Sequence, residues 1–565
     1  MLFNPRTATF DTLDPRSREI MRKTIAFFEE RGKRKLKEDD HARTFYSEFI
    51  AFQGREGIFA DLLTPGAQGD GGTRWDTSRN VVFNEILAFY GLAYWYTWQV
   101  SILGLGPLWM TENEVMKRHT AQALREGGVF GFGLSEREHG ADIYSTGTRL
   151  LPQEDGSFLA QGSKYYIGNA NEAAWVSTFG KLGEGRDDYA FFAVSPRRRR
   201  YECVQNVCNS QSYVGEFCLD DYPVAADEVL ATGRAAWDMA LNTVNVGKFN
   251  LGWASIGICT HSFYEAIHHA HHRHLFGSAV TEFPHIQRLF VDAWARLVAM
   301  RLFSLRAADY MRAASEEDRR YLLYNPMVKM KVTTQGEQVM DLLWDVIAAR
   351  GFEKDGYFEM AVRDIRALPK LEGTVHVNMA LVIKFMANYF FKPGDFPEIP
   401  RMLAPTDDDF LWRQGPTRGL GQIRFHDYRP VYAASDLPNV RIFRRQARVL
   451  KAMLVAARPG EEQAKDFDFL LTLGELFTLV VYGQLILENA RLMRVADEVV
   501  DQIFDTMVRD FSGFALQLAL KSQATVAQRA FARRMARRPV ADRARFDKVF
   551  RERVLALDGA YVMNP

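Results

Sequence analysis

The sequence predicts a mostly α-helical protein with a central β domain. Apolar residues recur at helical spacing up to about residue 125 and again from about residue 236. Between about 126 and 235, short β-prone runs are separated by glycine, proline, aspartate and asparagine. A further helical block follows a proline- and aspartate-rich stretch. At 565 residues the chain exceeds what one hydrophobic core ordinarily organises, so several domains are expected.

The expected boundaries are 1–125 (helical), 126–235 (β), 236–395 (helical), 396–440 (connector) and 441–565 (an additional helical domain). In the first block Ser17 to Lys35 is amphipathic, and Val81 to Leu105 is one long apolar stretch carrying Tyr94, Trp95, Tyr96 and Trp98. Neighbouring residues on a helix point in different directions, so most of these rings belong to a core and some to a pocket wall. In the β block the runs are Gly128–Leu134, Thr148–Pro152, Phe158–Ile167, Trp175–Phe179, Tyr189–Val194 and Glu216–Leu219. Arg197 to Arg200 reads as a solvated loop. Ala235 to His274 is one or two helices broken near Gly252, and Ser278–Ala314 and Met327–Ala349 continue the pattern. The stretch KPGDFPEIPRMLAPTDDD reads as an extended wrap without packed elements.

Composition excludes several function classes. The 71 basic and 70 acidic residues nearly cancel, which gives no electrostatic case for a nucleic-acid partner. Four cysteines at irregular spacing make neither a disulfide scaffold nor a zinc pattern, and the N-terminus has no signal-like pattern, so a reducing cytoplasm is expected. Phe469 to Leu487 has the length of a bilayer span, but Glu475 and Gln484 mark it as a buried bundle helix, so no membrane contact is expected. His268 to His274 holds two histidines at i,i+4 spacing, His268 and His272. It reads as a polar helix end and no metal is expected.

Glu372-Gly373-Thr374 is the most informative spot. A glutamate that opens an apolar stretch is costly to keep charged. It is either a helix-start acid helped by the helix dipole or a base in a dry pocket.

Four blocks then resemble the acyl-CoA dehydrogenase family, over roughly residues 15–395. Phe132-Gly-Leu-Ser-Glu-Arg-Glu-His-Gly-Ala-Asp142 is similar to its Thr-Glu-Pro-x-x-Gly-Ser-Asp segment. Gly162-Ser-Lys-Tyr-Tyr-Ile-Gly-Asn169 is similar to its Gly-x-Lys-x-Trp-Ile-Thr-Asn strand. Arg273-His-Leu-Phe-Gly277, with Phe283 and Gln287, looks like its Arg-x-x-Phe-Gly helix. Gly351-Phe352, Arg363-Asp364 and Glu372-Gly373-Thr374 look like its closing block.

The resemblance implies an N-terminal helical domain, a middle β-barrel or sandwich and a four-helix bundle, with residues 396–565 as the extra helices of the larger members. It implies FAD as cofactor, held by Phe132, Leu134, Ser135, Tyr166, Gly168, Arg273, Phe276, Gln287, Thr374 and His376. It implies an acyl-CoA substrate against Tyr94, Trp98, Ala141, Lys248, Leu371 and Gly373. Glu372 is then the catalytic base; the alternative base position of one branch holds Gly247 here. The implied reaction is α,β-desaturation of the thioester, with an electron-transfer flavoprotein as partner and a homodimer or homotetramer as assembly. Acyl-CoA oxidases, flavin monooxygenases of the same fold and a non-catalytic subunit are the alternatives. This sequence departs from the family at Gly168 (usually threonine), at Asp345, Ala348 and Ala349 (usually glutamine and two glycines), at His376 (often glutamine) and at Lys248 (usually arginine).

Overall fold

A computed structural model describes residues 1–185 and 187–565. They form two compact units. One comprises Thr9–Asn250, Leu403–Arg418 and Met563–Pro565; the other comprises Met1–Ala8, Leu251–Met402 and Gly419–Val562.

The first unit opens with helices. Pro15–Ala42 starts on Asp14, whose side chain accepts from the Ser17 N–H, with Pro15 in the first turn. The expected single helix over 81–105 is two, Thr77–Tyr90 and Leu92–Met110, separated at Gly91, whose φ/ψ of 175/140 cannot continue a helix. The second of these lies on the sheet: Ser177 Oγ donates to the Gly104 carbonyl at 2.6 Å, and Ser101 Oγ accepts from the Phe130 N–H at 3.1 Å.

The described residues form an eight-stranded sheet: β1 Phe130–Gly133, β2 Arg149–Pro152, β3 Phe158–Gly168, β4 Trp175–Lys181, β5 Tyr189–Val194, β6 Tyr201–Asn206, β7 Val214–Val224 and β8 Val229–Thr232. Its order is β6-β7-β3-β2-β4-β5-β8, with β1 pairing β4 in parallel. Leu150, Val176, Phe192, Phe217 and Tyr222 build its core. The sequence reading misses β6, an edge strand whose glutamate, glutamine and asparagine face solvent, and β8. Arg197–Arg200 is exposed; Arg198 lies over the Trp175 ring at 5.2 Å and pairs with Glu228 at 2.5 Å.

The helix Gly233–His272 is continuous, against the expected break at Gly252. Gly252 serves close packing instead: a Cβ there would lie 2.5 Å from Val328 Cγ1 and 2.7 Å from the Val328 carbonyl oxygen. Val328 begins a π-helical turn, Val328–Val332, between the helices Tyr321–Met327 and Thr333–Ile347.

The helices beyond residue 438 do not form a body apart from the preceding bundle; both lie in the second unit. Phe467–Leu492 is apolar enough to span a bilayer, with mean hydropathy 1.8, yet 83% of its apolar window is buried. It packs on Pro284–Arg312, Val375–Ile383 and Asp497–Leu520. Its polar residues have partners there: Glu475 meets Lys331 at 3.4 Å, Gln484 donates to Glu488, and Glu488 also takes Arg306 Nε at 2.8 Å and the Tyr310 hydroxyl at 2.9 Å. Burial raises the Glu488 carboxyl, and His426 and Arg306 outweigh it, bringing it down to about 2. The 393–440 stretch is largely irregular but far from unpacked, since Leu411, Trp412, Phe425 and Tyr432 are buried. The proline-rich wording of the sequence hides these anchors. All four cysteines are free.

Glu136 and Lys164 make the β domain's buried ion pair, 2.7 Å apart with Lys164 fully enclosed. Glu136 also accepts from the Thr146 and Thr148 hydroxyls and from the Gly147 and Thr148 N–H groups, tying the 136–148 loop to β3. Burial alone would raise the Glu136 carboxyl from 4.5, but Lys164 and these donors bring it to about 2. Glu136→Gln leaves Lys164 enclosed without its counter-charge, which costs about 3–5 kcal/mol. A carboxyl depressed by folding stabilises above its unfolded value and loses that effect as pH falls through its folded one. Urea unfolding is therefore expected to show a gap between parent and variant that is full near neutrality and narrows between pH 4.5 and about 2. A gap independent of pH contradicts the pairing.

Candidate functional site

The residues singled out from sequence fall into two groups, one in each unit. In the first unit, β1 runs into Leu134 and Ser135, beside the end of β3. Tyr165 N–H donates to the Ser135 carbonyl at 3.0 Å, and Ser135 Oγ donates back to the Tyr165 carbonyl at 2.7 Å. The Ser135 hydroxyl thus gives its one proton to the neighbouring strand, which leaves its oxygen as an acceptor toward a ligand. Phe132 turns its ring inward, stacked on Phe191 at 5.9 Å, so only its main chain suits a ligand contact. Tyr166 sits at φ 65 and the residue is 60% exposed. A left-handed backbone is costly for a bulky residue. It holds this ring out of the sheet as an open aromatic face.

Gly168 is explained by its neighbours. A Cβ there would lie 2.6 Å from Val100 Cγ2 and 2.7 Å from Tyr96 Cε1. The threonine usual in the family has no room, because Tyr96 and Val100 of the Leu92–Met110 helix fill the space. Tyr96 is the half-exposed ring of the aromatic cluster. Tyr94 and Trp98 are corrected: both are buried. Tyr94 packs on Phe28 at 4.9 Å and Phe49 at 5.4 Å; Trp98 packs on Phe83 at 4.7 Å and donates its indole N–H to Asn84. They pack within the helical core. Ala141 is exposed, Lys248 is buried, and the Gly247 carbonyl accepts from Gln99 at 2.9 Å.

In the second unit Glu372 occupies a left-handed turn, φ 51, followed by Gly373 at φ 81. The turn is held from below. Lys329, fully buried on the π-helical turn, donates at 2.6 Å to both the Pro369 and Gly373 carbonyls. Asn378 Nδ2 donates to the Gly373 carbonyl at 3.1 Å and to that of Thr374 at 3.0 Å. Thr374 caps the following helix, its hydroxyl accepting from the Val377 N–H. A non-glycine residue at positive φ stores about 1–3 kcal/mol of strain and persists where its surroundings over-determine it. Glu372 is half-buried beside half-buried Leu371, and its Oε2 is shielded from solvent. Lys329 and Asn378 escape the sequence reading. Lys329 had a weak signal, one of two lysines set in an apolar run with Lys331; the π-helical turn that aims it had none.

Arg273 and Phe276 belong to a hairpin, which corrects the expected helix. Strands β9 His274–Leu275 and β10 Ser278–Ala279 flank Phe276 and Gly277, both at positive φ, a tight two-residue turn. Phe276 is 99% exposed and Arg273 is exposed. Gln287 donates to the Thr281 carbonyl at 3.0 Å and so braces the hairpin's base. His376 is exposed, edge-on to Phe467. Ala348 holds φ 55, ψ −137, a backbone conformation that glycine takes readily.

Residues 236–387 match the family model for the acyl-CoA dehydrogenase C-terminal domain. A probable short/branched chain specific acyl-CoA dehydrogenase of Dictyostelium discoideum is 24% identical over 274 residues, 48% of this chain and 65% of that protein. The short-chain specific acyl-CoA dehydrogenase of Megasphaera elsdenii is 23% identical over 362 residues, 60% of this chain and 90% of that protein. Among solved structures, an acyl-CoA dehydrogenase complexed with FAD from Bacillus anthracis aligns with a TM-score of 0.76 at 15% identity, over 98% of this chain and 97% of that one. The fold is shared, the C-terminal helices included.

Lys329→Met keeps the length of the side chain and removes its donors. The Pro369 and Gly373 carbonyls lose those bonds, at about 1–3 kcal/mol. Hydrogen exchange is expected to accelerate across 370–378 while the sheet keeps its protection. Unchanged exchange there refutes the role given to Lys329.

Proposed function

Since residues 236–387 belong to the acyl-CoA dehydrogenase family and the chain takes that fold, we propose that it is an FAD-dependent enzyme that desaturates an acyl-CoA thioester, with Glu372 as the base. The observation that carries this reading is the Glu372 turn. A carboxylate with one oxygen shielded from water sits at a left-handed position, braced by Lys329 and Asn378. A merely structural acid at a helix start needs no such support.

The residues present suit the cofactor, with altered contacts. Tyr166 offers an exposed ring for stacking a flat heterocycle, and Arg273 an exposed guanidinium for a pyrophosphate. The threonine hydroxyl of the family is absent at Gly168, and the Ser135 hydroxyl bonds the Tyr165 carbonyl. Main-chain groups of 132–135 and the Ser135 oxygen are left for polar contacts. FAD, when bound, supplies the hydride acceptor for the β-hydrogen.

The chain's own task is the proton at the α-carbon. A thioester α-proton is too weakly acidic for a carboxylate in bulk water, so the base must be dry and fixed before the substrate arrives. The Lys329 and Asn378 bonds fix the main chain on either side of Glu372, which presets the point from which its carboxylate reaches the α-carbon. Flavin monooxygenases of this fold usually lack a glutamate at this position, since they need no α-proton base. That favours the dehydrogenase and oxidase readings, which share this first half-reaction. An electron-transfer flavoprotein is the acceptor we assign to the dehydrogenase reading.

Glu372→Gln is expected to retain the yellow flavin spectrum and to slow anaerobic bleaching by a saturated acyl-CoA by on the order of 10³-fold. Reduction at the parent rate rejects Glu372 as the base. Arg273→Ala is expected to weaken FAD retention during gel filtration instead. Full-length protein that stays colourless after incubation with FAD replaces the enzyme reading with a non-catalytic one.

A further inference from the structure

The histidine run at the end of the Gly233–His272 helix meets in the fold a carboxylate that lies far from it in sequence. His268, His271 and His272 stand at i, i+3 and i+4 and share one helix face. Asp558, 290 residues beyond His268, is brought against that face. Its Oδ1 lies 3.1 Å from His268 Nδ1 and 3.6 Å from His272 Nδ1, and its Oδ2 lies 3.8 Å from His271 Nε2. One ligand atom each from His268, His272 and Asp558 fall within 4.8 Å of one another.

We propose that His268, His272 and Asp558 bind a divalent transition cation of the zinc and nickel class, which clamps the C-terminal segment onto the end of this helix. Two ligands of one tetrahedral ion with bonds of about 2.0–2.1 Å stand about 3.3–3.5 Å apart, close to the 3.1 Å between His268 Nδ1 and Asp558 Oδ1; His272 would complete the set through its Nε2. A single hydrogen bond accounts for one imidazole on one carboxylate; it gives no reason for three rings to converge on it. The ion-pair partners of Asp558 among the described residues are all histidines. His272 is braced as a metal-bound imidazole usually is. His272 Nδ1 donates to the His268 carbonyl at 2.9 Å, which leaves Nε2 as its lone-pair nitrogen, and His271 Nδ1 meets the Thr281 hydroxyl at 3.2 Å. Imidazole with carboxylate selects zinc-like ions over calcium or magnesium, which take oxygen ligands. The side chains of His268 and His272 are 42% and 58% exposed, so the rings can close on an ion and the fourth position faces water.

The location gives the clamp a consequence. Arg273 follows His272 directly, and the exposed Phe276 hairpin grows from this helix end. The C-terminal segment is fastened just beyond Asp558, where Tyr561 packs on Tyr264 and His261 and takes Arg6 over its ring. A bound cation extends that fastening to the root of the hairpin.

The test uses the full-length chain, tag removed and stripped with EDTA, in equilibrium dialysis against ZnCl2 and NiCl2 with metal analysis, alongside thermal unfolding. One equivalent bound, with a rise in Tm, is expected. Asp558→Asn and His272→Gln are each expected to lower affinity about tenfold or more and to abolish the rise. His269→Gln, whose ring faces Arg350, is expected to leave both unchanged. Absence of stoichiometric binding overturns the proposal. Parent-like affinity in Asp558→Asn also overturns it, because the histidines then chelate without the tail. If Asp558→Asn does not fold, His272→Gln decides, since retained affinity in that variant excludes the site.

Discussion

The buried side chain of Lys329 fixes the turn on which the proposed chemistry depends. Its Nζ joins the Pro369 and Gly373 carbonyls at 2.6 Å each, and Glu372, in the left-handed region, lies between those two points. Lys329 reaches them because it rides on a π-helical turn, where an extra residue in the turn shifts the direction of a side chain without ending the helix. That turn in turn sits against Gly252, whose missing side chain lets two helix backbones approach. Close packing, an off-period helical turn, two hydrogen bonds and one strained residue thus form a single chain of causes.

The first unit uses the same device differently. Glu136 and Lys164 are a charged pair enclosed in a sheet, and the carboxylate satisfies hydroxyl and N–H donors from the loop that follows it. A buried pair of this kind contributes less to net stability than to fixing one arrangement, because either partner left alone is costly. The strand ends at Ser135 and Tyr165 are locked by reciprocal hydrogen bonds. Tyr166, one residue on, is the side chain left outside.

The helix and strand texture was legible because apolar periodicity reports burial. It failed where burial is one-sided or interrupted. Strand β6 is a polar edge, Gly91 splits an apolar run whose pattern does not change across it, and the irregular 393–440 stretch conceals buried Trp412 and Phe425. In the candidate site Glu372 stood out by residue type and place, whereas Tyr166 and Arg273 were picked out only by the resemblance of their motifs to the family. Tyr94 and Trp98 misled because adjacent aromatic rings on one helix look alike in sequence; only packing separates Tyr96, half-exposed against Gly168, from its buried neighbours.

By itself the sequence determined the order of helical and β regions and the residue types that chemistry needs, since both depend on local pattern. Tertiary structure alone decided which side chains meet. Lys329 lies more than forty residues before Gly373, and Asp558 lies 290 residues from His268. Contacts across such separations are set by how helices pack, and packing leaves no periodic trace along the chain.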